Sequence, residues 1–161
     1  MNFTKYVLST LSAAVLGLVM RGLAATPVQA ATATTTFAIN ATVQATCSVT
    51  ATPLAFGTYA PTAASANTAT VTVTCTNTTP YTLGLNAGLN GTVTARAMKS
   101  GAVLLNYGLF TDSGQTINFV TLASVNGTGS PVVTTVYGQV PSGQYVAPNT
   151  YSDTITATIT Y

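Results

Sequence analysis

The amino-acid sequence predicts an all-β domain, a sandwich or a barrel, and three observations carry that prediction. Apolar and polar residues alternate with a period of two through most of the chain after Thr35. Thr and Val, which favour a pleated and half-buried surface, are abundant in these segments. Turn residues separate the segments at short intervals, and no segment after residue 30 shows sustained helical periodicity.

The alternation divides the chain into strands whose two faces can be assigned by parity. Near the N-terminus, four apolar residues share one face: Phe37, Ile39, Ala41 and Val43. The same parity continues through Cys47 to residue 51. Later strands are predicted over residues 68–75, 81–87, 105–109, 132–140 and 151–161, and residues 96–101 form a polar segment. Such a series of short strands is typical of a sandwich or a barrel.

The first thirty residues have the pattern of a secretory signal peptide. Lys5 gives a positive start, residues 11–20 are apolar, and Val28-Gln29-Ala30 is a small-x-small cleavage signal. The alternative is a transmembrane anchor, but a spanning helix needs about 20 apolar residues, and Arg21 interrupts this run. We therefore predict a signal peptide at residues 1–30 and a mature chain without a membrane span.

Charged side chains are scarce in the predicted mature chain, which holds only Arg96, Lys99, Asp112 and Asp153. Nucleic-acid binding depends on clustered Lys and Arg and is therefore not expected. The chain has no His and no Glu, so a paired-carboxylate hydrolase would require Asp112 and Asp153 to meet. No metal-ligand spacing or phosphate-binding glycine motif occurs. We predict a protein that is not an enzyme, with no catalytic residue, no metal site and no cofactor.

The chain has two cysteines, Cys47 and Cys75. An even pair in an exported protein suggests one disulfide bond, and strand parity directs both thiols into the core from neighbouring strands. In the chain-entropy model, a bridge across a loop of about 28 positions is worth about 3–4 kcal/mol. The alternative is a pair of buried free thiols.

An alternating apolar strand lies at each end of the predicted mature chain. The N-terminal strand carries the four residues from Phe37 to Val43, and the C-terminal strand carries Ile155, Ala157, Ile159 and Tyr161. One interpretation is an ordinary sandwich with terminal strands at its edges. The other is donor-strand complementation, in which a fold that lacks a strand accepts an N-terminal strand from another copy.

Seven segments together resemble a known family over nearly the whole mature chain. They are Phe56-Gly-Thr-Tyr59, Val71-Thr-Val-Thr-Cys75, Tyr81-Thr-Leu-Gly-Leu-Asn-Ala-Gly88, Arg96-Ala-Met98, Leu105-Asn-Tyr-Gly-Leu-Phe-Thr-Asp112, Tyr137-Gly-Gln-Val-Pro-Ser-Gly-Gln144 and Tyr151-Ser-Asp-Thr-Ile-Thr-Ala-Thr-Ile-Thr-Tyr161. The sequence resembles the spore coat protein U domain, which spore coat proteins share with Csu-type pilus subunits of the archaic chaperone–usher pathway.

The resemblance implies an incomplete immunoglobulin-like β-sandwich that lacks its last strand and is completed by donor-strand exchange. Residues 31–45 would form the donor segment, with Phe37, Ile39, Ala41 and Val43 as donor residues. Residues 46–161 would form the sandwich domain. Its acceptor groove and chaperone-binding strand would carry Ile155, Ala157, Ile159 and Tyr161, and Cys47–Cys75 would be the disulfide bond.

The same resemblance implies how the protein is used. Its partners would be other pilus subunits, a periplasmic chaperone and an outer-membrane usher. The chain would pass through the periplasm to the cell surface and serve there in a pilus, in surface attachment or biofilm formation. A coat protein of a spore or cyst is the first alternative. A secreted carbohydrate-binding module is the second, and it would need an exposed aromatic platform.

Overall fold

The computed structural model describes residues 28–161, so most of the predicted signal peptide lies outside the described residues. Of these, residues 28–40 and residues 41–161 belong to two separate units. The second unit carries nine strands, and no helix occurs in the range described, which confirms the all-β fold class. Accordingly, this part of the chain contains no helix able to span a membrane.

The nine strands fall close to the alternating segments of the sequence. They are β1 Cys47–Ala51, β2 Ser65–Cys75, β3 Pro80–Leu85, β4 Gly91–Thr92, β5 Ala95–Ser100, β6 Val103–Phe110, β7 Val125–Asn126, β8 Val132–Val140 and β9 Ala157–Thr160. The larger sheet has the order β1-β2-β8-β6-β5-β4, and the smaller one has the order β7-β3-β9. Each strand pair within the two sheets is antiparallel.

The disulfide bond fixes the outer strand of the larger sheet. β1 pairs with β2 in a register that sets Cys47 directly opposite Cys75, and the two residues are bonded through their sulfur atoms. The predicted Cys47–Cys75 bridge is therefore confirmed. It holds β1, which is an edge strand, against the strand that leads into the centre of the sheet.

Buried side chains of both sheets form one hydrophobic core. The larger sheet contributes Val73 and Val140, and the smaller sheet contributes Leu83, all of which are almost fully buried. Phe119, in the segment between β6 and β7, has no exposed surface at all. The inward parity assigned to residues 71, 73, 83 and 85 from the sequence agrees with their burial.

The structure corrects three boundaries that the sequence suggested. The N-terminal strand begins at Cys47 rather than near Thr35, because no strand of this single copy pairs with the residues before it. The last strand is confined to β9 because Ser152 pairs with Lys99 of the larger sheet before the chain crosses to β3. The polar segment 96–101 is largely a strand, β5, because it pairs with β6.

Candidate functional site

An open groove of about 1060 Å³ lies between the two sheets of the β-sandwich unit. Its floor is formed by core side chains of both sheets, among them Val71, Leu85 and Leu109. One wall is the segment 51–61 that follows β1, and the other is the segment 146–157 that leads into β9. The lining of the groove as a whole is mostly apolar, so water in it contacts surface whose burial would be favourable.

The edge of the smaller sheet adjoins this groove. β9 pairs with β3 from Leu85↔Ala157 to Thr82↔Thr160, and its other edge pairs with no strand among residues 28–161. An unpaired edge presents a row of backbone N–H and C=O groups that a further strand can bind. The groove and this edge together therefore offer apolar pockets and a hydrogen-bonding ladder side by side.

Backbone and side-chain hydrogen bonds to distant parts of the chain hold the C-terminal wall in place. The Asn86 backbone N–H donates to the Thr156 carbonyl (3.1 Å), and the Thr156 N–H donates to the Asn86 side-chain oxygen (2.9 Å). The Tyr107 hydroxyl donates to an Asp153 carboxylate oxygen at 2.7 Å, and the other oxygen accepts the Leu89 N–H at 2.8 Å. These contacts fix residues 153–156, just before β9 begins.

The opposite wall is fixed by Tyr59. Its hydroxyl donates to the Pro141 carbonyl (2.7 Å) and accepts the Gln144 N–H (3.1 Å), which joins the wall to the end of β8. The Gln144 side chain in turn bonds both the backbone N–H and the carbonyl of Asn106 in β6. Both walls are thus held apart by hydrogen bonds that do not depend on a strand within the groove.

Arg96 is the buried cation that anchors this arrangement, and it is only 1% exposed. Its guanidinium donates to four backbone carbonyls: Asn86 (2.9 Å), Val93 (2.6 Å), Phe119 (2.9 Å) and Leu85 (3.3 Å). The residue lies on β5 of the larger sheet, while Leu85 ends β3 of the smaller one. Arg96 therefore ties the two sheets together, and one of its acceptors is the carbonyl of Leu85, a residue that lines the groove.

Burial shifts the pKa values of Arg96 and Tyr107. Desolvation lowers the pKa of Arg96, although Tyr107 and Asp153 oppose that change, and an arginine remains protonated in proteins. Desolvation first, and then the hydrogen bond to Asp153, raise the pKa of Tyr107 well above its usual value. The Tyr107 hydroxyl therefore remains a donor to Asp153 throughout the physiological pH range.

Sequence patterns alone do not identify Arg96 and Asn86 as residues that shape the site. The sequence places Arg96 in the polar segment 96–101, and charged side chains are seldom fully buried. The one signal in the sequence is scarcity, since Arg96 is the only arginine after residue 30. Its position opposite Tyr107 depends on the pairing of β5 with β6, which parity alone does not give.

The predicted acceptor residues lie on or beside β9, and the predicted donor residues lie outside the sheets. Ile155 and Ala157 line the groove, Ile159 packs against the core, and Tyr161 is largely exposed. Residues 31–45 form no strand, and each of them is exposed. Three large apolar side chains of this segment, those of Phe37, Ile39 and Val43, are all more than four-fifths exposed.

The two carboxylates of the described chain have separate structural roles. Asp153 bonds Tyr107 and Leu89, whereas Asp112 accepts the N–H of Ile117 and closes its own loop. No cluster of metal-ligating side chains occurs within residues 28–161. The described residues therefore contain an apolar groove and no pair of side-chain carboxylates placed for acid–base chemistry.

This geometry defines a disulfide-bonded β-sandwich with an apolar groove beside an unpaired strand edge. The chain belongs to the Spore Coat Protein U domain family, whose model matches residues 33–158. It is 34% identical over 158 residues to Protein U of Myxococcus xanthus, and the match covers 84% of this chain and 88% of the relative. Family and fold identify it as a structural protein rather than an enzyme.

A solved structure extends the comparison to pili. The chain is similar to one chain in the crystal structure of the CsuC–CsuE chaperone–tip adhesion subunit pre-assembly complex, from archaic chaperone–usher Csu pili of Acinetobacter baumannii. The two have 25% sequence identity and a TM-score of 0.57. The match covers 74% of this chain but only 40% of the solved chain, so this protein corresponds to part of that longer one.

Proposed function

We propose that this chain is an exported structural subunit of a chaperone–usher pilus and that it polymerises by donor-strand exchange. The observation that carries the proposal is the open groove beside the free edge of β9, together with an exposed apolar segment in the same chain. The segment has the side-chain period of a strand, and the groove has the lining that such a strand needs.

Insertion of the segment into the groove of another copy would bury the segment's apolar side chains and pair the free edge of β9. The donated backbone would bond the free edge of β9, and Phe37, Ile39 and Val43 would enter the apolar groove. Each large apolar side chain contributes about 1.5–3 kcal/mol on full burial, and Ala41 contributes less. The contact is heterologous, so repetition from copy to copy produces a fibre rather than a closed dimer.

The proposal includes the route by which the subunit reaches the surface. Residues 1–30 would direct export and be removed, and the disulfide bond is consistent with an oxidising compartment. A periplasmic chaperone would cover the groove until an outer-membrane usher received the subunit. The similarity to a chaperone–subunit complex of Csu pili supports these partners. Surface attachment and biofilm formation would then be functions of the assembled fibre.

A second candidate is a structural coat component of a spore or cyst. The similarity to Protein U favours a coat role. The match to Protein U covers 88% of that relative, whereas the match to the Csu chain covers only 40% of that chain. Electron microscopy of the producing cells separates the two candidates. Thin surface fibres support the pilus, whereas a continuous layer around the cell supports the coat.

Deletion of residues 31–43 tests the polymerisation mechanism. The variant should still bind its chaperone, because the groove and β9 are intact, but it should form no polymer because it has no strand to donate. Ile39→Asp should reduce polymer formation at least tenfold, since it would place a carboxylate in an apolar pocket. Gel filtration and gel electrophoresis without heating measure the polymer.

Asn40→Asp is the matched control for this test. It adds the same charge one residue further on, at the opposite strand parity, and should leave polymer formation nearly unchanged. If the deletion variant still formed heat-resistant polymers, the segment would not be the donor. Equal effects of Ile39→Asp and Asn40→Asp would show that charge, and not the buried face, determines assembly.

A further inference from the structure

A second concavity, of about 410 Å³, lies over the middle of β6. It occurs where β6 changes its neighbour: β5 pairs with residues 103–107, and residues 117–119 bond Leu109 and Thr111. Gly108 lies between the part of β6 that pairs with β5 and the part that bonds residues 117–119. Thr94 and Asn118 line the concavity with it. The gap between the two neighbouring segments creates the concavity.

Phe110 forms the floor of this site. Gly108 and Phe110 are two residues apart on β6 and therefore lie on the same face, about 6.6–6.8 Å apart. A Cβ atom at Gly108 would overlap the outer end of the Phe110 ring, so the ring must extend along the strand and cover the glycine. The ring is only partly buried, and it therefore presents an apolar surface to solvent.

Three amide side chains surround the ring. Asn106 lies two residues before Gly108, on the same face of β6. Gln139 of β8 is the cross-strand partner of Gly108, and Asn118 pairs with Phe110 through an isolated β-bridge. All three line the concavity, and their side-chain amides form no hydrogen bond with any residue that the structure describes. Each amide offers both a donor and an acceptor to a ligand.

The electrostatics of the site favour a neutral ligand. Arg96 is the charged residue of its lining, but the side chain is 1% exposed and its guanidinium is bonded to backbone carbonyls. An anionic ligand would therefore find no available cation, and a cationic ligand would find no carboxylate in the lining. An apolar ring surrounded by amides matches a molecule that has an apolar face and hydroxyl groups at its rim.

We propose that this site, the Phe110 shelf formed by Phe110, Asn106, Asn118 and Gln139, binds a neutral pyranose unit of a polysaccharide. The sugar's C–H face would stack on the phenyl ring, and its hydroxyl groups would bond the three amides. The shelf lies outside the groove, so its use does not depend on strand exchange. In a fibre each subunit would present one shelf, and weak single contacts would add through multivalency.

Binding of the assembled protein to insoluble neutral polysaccharides tests the proposal, with cellulose, chitin, starch, xylan and mannan as probes. Co-sedimentation should reveal binding to at least one of them. Phe110→Ala should weaken that binding at least tenfold, and Asn118→Ala should weaken it about threefold without changing the ring. Tyr145→Ala, which removes an aromatic ring that is 81% exposed elsewhere, is the control and should bind like the unaltered protein.

Each outcome decides the proposal. Loss of binding in Phe110→Ala with normal binding in Tyr145→Ala supports the shelf, provided that both variants assemble to the same extent. Absence of binding to all five polysaccharides overturns it, as does binding that is unchanged in both Phe110→Ala and Asn118→Ala. Binding lost equally in Phe110→Ala and Tyr145→Ala also overturns it, because exposed aromatic surface in general would then be responsible.

Discussion

Replacing Arg96 with Met is expected to lower the free energy of unfolding by about 3–5 kcal/mol. Methionine can fill much of the same volume, but it donates no hydrogen bond. The four carbonyls that the guanidinium contacts, including those of Leu85 and Phe119, would lose their charged donor. A buried acceptor left without a partner costs about 1–3 kcal/mol, and the effects are not additive. Thermal unfolding followed by far-UV circular dichroism measures the change.

Lys99→Met is the matched control for this variant. Lys99 lies on the same strand, β5, and the substitution removes the same charge and introduces the same side chain. Because Lys99 is exposed, its replacement should change stability by less than about 0.5 kcal/mol. Equal stabilities of the two variants would contradict the assignment of Arg96 as the anchor between the sheets.

Removal of the disulfide bond should have an effect of similar size. The double variant Cys47→Ala/Cys75→Ala should lose about 3–4 kcal/mol, because the unfolded chain gains the freedom of a loop spanning 28 positions. β1 is an edge strand held by one neighbour, so its release would also loosen the wall of the groove that follows Ala51. Urea unfolding of the assembled protein measures the loss.

Reduction of the unaltered protein provides the control. A reducing agent should lower its stability to that of the double variant and should have no effect on the double variant itself. If the unaltered protein were insensitive to reduction while the double variant was destabilised, the loss would come from the missing sulfur atoms in the core. The bridge would then not be the source of stability.

Local patterns predicted much of the fold because strand parity and turn residues are encoded in neighbouring positions. β8 begins and ends where the sequence predicted, from Val132 to Val140, and β2 differs only by an earlier start at Ser65. The inward parity of Cys47 and Cys75 was also sufficient to suggest their bridge. In these segments each residue's burial follows from its immediate neighbours.

The site was less predictable because it depends on contacts between distant parts of the chain. Arg96 bonds carbonyls as far away as Phe119, and Asn86 fixes Thr156 across 70 positions. The late start of the last strand, at Ala157 rather than at residue 151, also comes from a distant contact, between Ser152 and Lys99. Alternation within one strand does not show which strands become neighbours. Parity therefore predicted the face on which a residue lies but not the residue it contacts.

For residues 31–45, the predicted donor segment, the local sequence likewise does not identify the strand with which they would pair. Its alternation predicts a strand, yet residues 31–45 form none in the single chain because a strand requires a hydrogen-bonded partner. The sequence gives no means of deciding whether that partner belongs to the same copy or to another. The assignment of Phe37, Ile39, Ala41 and Val43 as donor residues therefore stays a prediction.

Photo-crosslinking between isotopically distinct copies tests donor-strand exchange most directly. A photoreactive amino acid would replace Ile39, and ¹⁵N-labelled and unlabelled subunits would be mixed before assembly. Mass spectrometry would then identify the peptide that becomes attached. We expect crosslinks between labelled and unlabelled chains, attached to the groove walls at residues 51–61 or 146–157. Crosslinks that join only residues of the same copy, or that lie outside the groove, would contradict the account.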